Sequence, residues 1–190
     1  MSRPFPVIAL EQSSHLVDDF LQNTFWGTGM ANCTISAAFG HEDKARELFT
    51  EYTEALLRQA PDFTSYLAMQ NFGHELDNLE EKYGPPDGRL YIATVDGNLA
   101  GCIALRKIND HECEMKRLYV RPPFRGCGIA GLLVKTIIAD AKDIGYRSIL
   151  LDTFPFMQDA IRLYRKFGFQ EIESYNGRPM ENLVYMKLGL

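Results

Sequence analysis

The 190-residue sequence predicts a single α/β domain built on a mixed, mostly antiparallel sheet flanked by helices. Three observations carry this expectation. Residues 89–95 and 99–106 are strand-forming runs on either side of Asp96-Gly97, a dipeptide suited to the positive backbone angles of a tight hairpin. A third strand, 113–120, enters a glycine loop, a helix and an apolar strand at 148–152, which makes a strand, helix, strand crossover. A hydrophobic content of 46% over this length is enough for one sizeable core.

In chain order, residues 1–30 form an N-terminal arm. Leu16, Val17, Phe20, Leu21 and Phe25 follow Ser13-Ser14 at the spacing of an amphipathic helix, one that packs back on the domain or against a second subunit in a homodimer. The domain proper spans 31–190. Asn32 to Ala38 alternates as a first strand, and Ala45, Leu48, Phe49, Tyr52 and Leu56 then repeat at helical spacing until Pro61. Phe72, Leu76, Leu79 and Tyr83 form the stripe of a second helix, ended by Gly84-Pro85-Pro86-Asp87-Gly88. After the meander, Ile129, Leu133, Ile137, Ala141 and Ile144 share a helix face that Gly145 terminates. Met157, Ala160, Ile161, Tyr164 and Phe167 form the last helix, and Phe169–Ile172 and Leu183–Leu188 close as strands.

The loop between the third strand and its helix is the candidate binding element. Gly126 and Gly128 remove side chains where backbone must approach a ligand, and successive N–H groups at a helix start polarise the space before them toward an anion. The chain is acidic, with a net charge of −5, yet Lys116, Arg117, Arg121 and Arg125 follow one another with no intervening acid. Such a run reads either as a site for a small anion or as the solvated face of a strand, with Arg125, beside the glycines, as the residue expected at the anion. Gly126-Cys-Gly-Ile-Ala-Gly131 also satisfies the dinucleotide fingerprint, with Asp152 at a suitable distance for a ribose. The charged strand before it and the intervening Arg121-Pro-Pro-Phe-Arg125 argue against that reading, because a dinucleotide loop follows directly on a buried apolar strand.

Leu118-Tyr-Val-Arg-Pro-Pro-Phe-Arg-Gly-Cys-Gly-Ile-Ala130 resembles the acyl-coenzyme A motif, Arg/Gln-x-x-Gly-x-Gly/Ala, of the GNAT (Gcn5-related) N-acetyltransferase superfamily, with Arg125-Gly126-x-Gly128 taken as the matching core. Ala160, Leu163-Tyr164 and Phe167-Gly168-Phe169 extend the likeness, which covers about residue 88 to the C-terminus well and the earlier chain weakly. The resemblance implies a GNAT-type sheet and acetyl transfer from acetyl-coenzyme A to a primary amine by direct attack. It implies that Leu118, Tyr119, Val120, Arg125, Gly126, Cys127, Gly128, Ile129 and Ala130 contact the cofactor, with a strand bulge freeing N–H groups near Leu118–Val120 for the thioester oxygen. Tyr164 matches the family tyrosine that protonates the departing thiolate. Glu114, read as sharing a strand face with Lys116, Leu118 and Val120, matches a frequent base position, and equally reads as a paired strand carboxylate. Tyr52, Phe63, Tyr66 and Phe72 fall where the family shapes its acceptor site, or are core. Met157 stands where many members carry asparagine.

Cys33, Cys102, Cys113 and Cys127 lack metal or disulfide spacing, so free thiols and no metal are expected. Cys127, at the helix start, is either a reactive thiol shielded by coenzyme A or a small residue turned into the core. No apolar run is long enough to cross a membrane and no signal peptide is apparent, which points to the cytoplasm. The acidic balance disfavours nucleic acid. A small-molecule amine is the acceptor expected rather than a protein, and a non-catalytic acyl-coenzyme A binding or regulatory module is the alternative on the same fold.

Overall fold

The computed structural model describes residues 32–60, 71–176 and 183–190. The N-terminal helix expected over 13–25, together with Phe63 and Tyr66, lies outside them. The strand-forming runs of the sequence pair into one seven-stranded sheet of order β1-β2-β3-β4-β5-β7-β6. Its strands are β1 (Cys33–Ala37), β2 (Arg89–Val95), β3 (Asn98–Lys107), β4 (Glu112–Val120), β5 (Ser148–Thr153), β6 (Gln170–Ile172) and β7 (Val184–Gly189). All neighbours are antiparallel except β4 and β5.

The β2–β3 hairpin turns at Asp96 (φ 49°) and Gly97 (φ 78°), two successive positive angles of the kind a two-residue turn needs to match strand twist. The first helix, α1 (Glu42–Gln59), places Ala45, Leu48 and Phe49 against Leu90, Ile92, Cys102 and Ala104 on one face of the sheet. The crossover helix, α4 (Ile129–Ile144), places Ile129, Leu133, Val134, Ile137 and Ala141 against Ile103, Leu105, Cys113, Met115, Ile149 and Leu151 on the other. These two apolar layers are the main stabilisation, because each buried aliphatic side chain contributes about 1.5–3 kcal/mol.

The helix expected over 72–83 is two. The pieces are α2 (Phe72–Asp77) and α3 (Leu79–Tyr83), separated at Asn78, whose non-helical backbone (φ −130°, ψ 53°) breaks the ladder while its side-chain amide donates to the His74 carbonyl at 3.0 Å. The break turns Glu75 inward, where it is buried among polar partners. The last helix, α5 (Gln158–Lys166), follows β5 through Phe154-Pro-Phe-Met157, and Phe169 behind it packs on Tyr164. No helix among the described residues is long and apolar enough to cross a membrane.

Candidate active site at the splayed strands

Parallel β4 and β5 pair only at Glu112, Cys113 and Glu114, opposite Ser148, Ile149 and Leu150. Beyond these residues the strands diverge and leave a cleft lined by Met115, Lys116, Arg117, Leu118, Asp152, Thr153, Phe154 and Tyr164, with Tyr52, Leu56 and Leu183. An unpaired strand edge inside a protein is an arrangement that needs partners for its polar groups.

The opposite edge of β4 is interrupted by a bulge. Cys102 faces Tyr119 and Ala104 faces Lys116, so Arg117 and Leu118 together oppose the single residue Ile103, and Arg117 takes a positive φ of 58°. One extra residue reverses the facing of everything after it. Glu114, Lys116, Arg117 and Tyr119 therefore lie on the α1 side, while Leu118 and Val120 pack toward α4. The shared face read from sequence for Glu114, Lys116, Leu118 and Val120 is thus corrected: the bulge divides it. The Arg121 N–H donates to the Ala100 carbonyl of β3 at 2.8 Å, so by strand alternation the N–H groups of Val120 and Leu118 point away from β3 toward the cleft.

The basic run is likewise corrected. Lys116 is paired with Asp152 (3.2 Å) and Glu114 (3.4 Å), Arg117 with Glu75, and Arg121 with Glu47 and Glu51 of α1. These three cations join elements of the protein to one another. Only Arg125 of the four is exposed and without an ion pair among the described residues, its Nε donating to the Val120 carbonyl at 2.9 Å.

A 3-10 turn, Pro122–Phe124, delivers the chain to Gly126 (φ 79°) and Gly128 (φ 78°), and Gly128 caps α4. The N–H groups of residues 126–131 donate to no acceptor among the described residues, and they gather at the start of a 16-residue helix. The helix start fixes the motif's register as Arg125-x-x-Gly128-x-Ala130, a strict match, and not a core beginning at Gly126. The side chain of Ile129 is buried in the core, so only its backbone faces the loop. Cys127 is exposed, its thiol 3.7 Å from the Arg125 carbonyl, which removes the inward-facing alternative. The dinucleotide reading falls because the strand before the loop is antiparallel to β3 and Asp152 engages Lys116 on the sheet.

Tyr164 lines the cleft with its ring on Phe169, 5.8 Å between centroids, and its hydroxyl bonds to no described residue. Burial pushes its phenol well above the ordinary range, with the Tyr52 hydroxyl and Asp152 carboxylate adding to the shift. Glu114 does not line the cleft. Its carboxylate accepts from Arg106, from Lys116 and from the Tyr175 hydroxyl at 2.6 Å, and despite burial these cations hold it down at about 2. Asp152, noted in sequence only as a ribose acid, is the carboxylate that does line it. Tyr52 borders the cleft, its hydroxyl 3.9 Å from the Met157 sulfur and its ring 5.6 Å from that of Tyr119, while Phe72 packs on the Arg117 guanidinium. The Tyr119 side chain belongs to the α1-side core. No group of three His, Cys, Asp or Glu among the described residues is placed to hold a metal.

Residues 43–169 match the sequence model of the acetyltransferase (GNAT) family. An uncharacterized N-acetyltransferase of Schizosaccharomyces pombe is 44% identical over 129 residues, 67% of this chain and 79% of that protein. An IAA acetyltransferase of Azospirillum brasilense is 31% identical over 143 residues, covering 75% and 87%. Among solved structures, an acetyltransferase from Streptococcus agalactiae superposes with a TM-score of 0.69 at 19% identity, over 83% of this chain and 98% of that one, a likeness of fold.

Proposed function

The chain belongs to the acetyltransferase (GNAT) family, and from that premise we propose that it transfers an acetyl group from acetyl-coenzyme A to a primary amine by direct attack. The observation that carries this reading is the cleft between β4 and β5, where the outward N–H of Leu118 and a Tyr164 hydroxyl that bonds to no described residue meet, with β4 leading on to the α4 start, whose N–H groups have no acceptor among the described residues and where Arg125 stands. The loop from Arg125 to Ala130 receives the pyrophosphate, and Leu118 and Val120 bond the pantetheine arm and the thioester oxygen. As the amine attacks, charge builds on that oxygen, where fixed donors stabilise it without reorganising. Tyr164 then supplies the proton to the sulfur.

The attacking nitrogen must also lose a proton. A carboxylate held at about 2 binds protons weakly, so Glu114 serves better as the group that keeps Lys116 and Arg106 in place, and Asp152 is the carboxylate within the cleft. The two assignments differ in pH profile. Asp152→Asn should lose turnover most near neutral pH and recover at high pH, where more amine is already unprotonated, whereas Glu114→Gln should lose it evenly. The reverse pattern would return the base role to Glu114.

Release of coenzyme A measured against a panel of small amines tests the function. Saturable release with at least one amine supports it; tight binding of acetyl-coenzyme A with no release for any acceptor returns the non-catalytic module. Cys127 gives a second readout. Its exposed thiol should react with a maleimide at a rate that acetyl-coenzyme A slows, and equal rates would place the cofactor elsewhere.

A further inference from the structure

Arg117, the residue at which the β3–β4 ladder goes out of register, is held from every side. Its Nε and Nη2 donate to the two oxygens of Glu75 at 2.7 and 2.9 Å, a bidentate pair between residues 42 positions apart. Its guanidinium lies over the rings of Phe49 (5.6 Å) and Phe72 (5.0 Å), and its carbonyl accepts from the Cys102 thiol at 3.2 Å. Glu75 is in turn fixed by the Tyr83 hydroxyl at 2.7 Å and by Lys82. Both partners are buried, at 2% and 6% exposure, and Glu75 does not line the cleft.

We propose that the Glu75–Arg117 ion pair is the clamp that sets the β4 bulge, which makes Glu75 a positioning residue for the thioester-binding N–H groups. The competing state is a regular ladder. With Ala104 opposite Lys116, uninterrupted pairing would set Ile103 against Arg117 and Cys102 against Leu118. That slip turns the N–H groups of Leu118 and Val120 from the cleft to β3. Arginine has a Cβ and resists a positive φ, so the bulge needs outside support at this residue. The clamp supplies it from α2 and α3, whose break at Asn78 is what aims Glu75 inward.

The proposal rests on the acetyl-coenzyme A reading for its catalytic meaning, while the clamp can be observed without ligand. The test uses the full chain with Glu75→Gln and with the paired replacement Glu75→Leu/Arg117→Met, which removes both fully buried charges, leaves only the part-exposed Lys82 without its carboxylate and fills the space between the two rings. The amide resonances of Leu118, Tyr119 and Val120 in the free protein are expected to move, and kcat to fall by about 10²-fold, the scale of a misplaced reacting group. Coenzyme A affinity is expected to fall less than kcat, because the loop at 125–130 keeps the pyrophosphate and only the pantetheine bonds of Leu118 and Val120 are lost. Should Glu75→Gln fail to fold, the paired variant alone decides. Parental amide resonances in the folded variants overturn the clamp whatever happens to kcat, and shifted resonances with parental kcat overturn its positioning role. If the parent itself releases no coenzyme A, the functional reading fails and the resonances still decide the clamp.

Discussion

Tyr164→Phe should lower turnover by roughly 10²-fold and leave acetyl-coenzyme A affinity nearly unchanged. The substitution keeps the ring that packs on Phe169 and removes only a hydroxyl that bonds to no described residue, so folding has little to lose. From sequence, proton transfer from a phenol near its ordinary value to an alkyl thiolate is close to balanced. In the folded protein burial raises the Tyr164 phenol and tips that balance. A thiolate formed in the same cleft would have its own proton affinity raised by desolvation too, which would restore the balance. A Phe variant with parental kcat would make Tyr164 a packing residue, with water or another group as the acid.

Gly128→Val should abolish acetyl-coenzyme A binding measured by calorimetry. Two effects act together. A Cβ at residue 128 would meet no protein atom within 4 Å, so it extends into the space that the free N–H groups of the loop face. The residue also holds φ 78°, which valine adopts only with strain of about 1–3 kcal/mol. Strain of that size lowers the melting temperature modestly, so loss of binding in a variant that still melts cooperatively identifies the loop as the phosphate cradle. Parental affinity in such a variant would remove it from that role.

Local chemistry was legible in the sequence. Asp96-Gly97 identified the hairpin, the apolar stripe from Ile129 to Ile144 identified the crossover helix, and Arg125 with Gly126 and Gly128 identified the loop, though not the motif's register. What escaped was set by partners far apart in the chain. The β4 bulge, expected from the family resemblance alone, is present, but nothing near Arg117 marks that residue, since no glycine stands there, and its support comes from Glu75, 42 residues earlier. For the same reason Lys116 and Arg121 read as a basic run when their carboxylates, Asp152, Glu47 and Glu51, sit 36 to 74 residues away. The division at Asn78 was hidden because Phe72, Leu76, Leu79 and Tyr83 keep helical spacing across it. Asp152 was misjudged because its meaning depends on where β5 leaves β4.

That divergence has a mechanical side. The four strands β1–β4 and the three strands β5–β7 share three ladder pairs, with side-chain bridges such as Lys116–Asp152 and Lys187–Glu112 beside them, so the backbone ladder between the two plates is a short hinge. A ligand bonded to the β4 edge and touching Tyr164 beyond β5 spans the joint and fastens one plate to the other. Stiffness gained on binding would therefore be felt in β5, β7 and α5, which lie across the hinge from the phosphate loop.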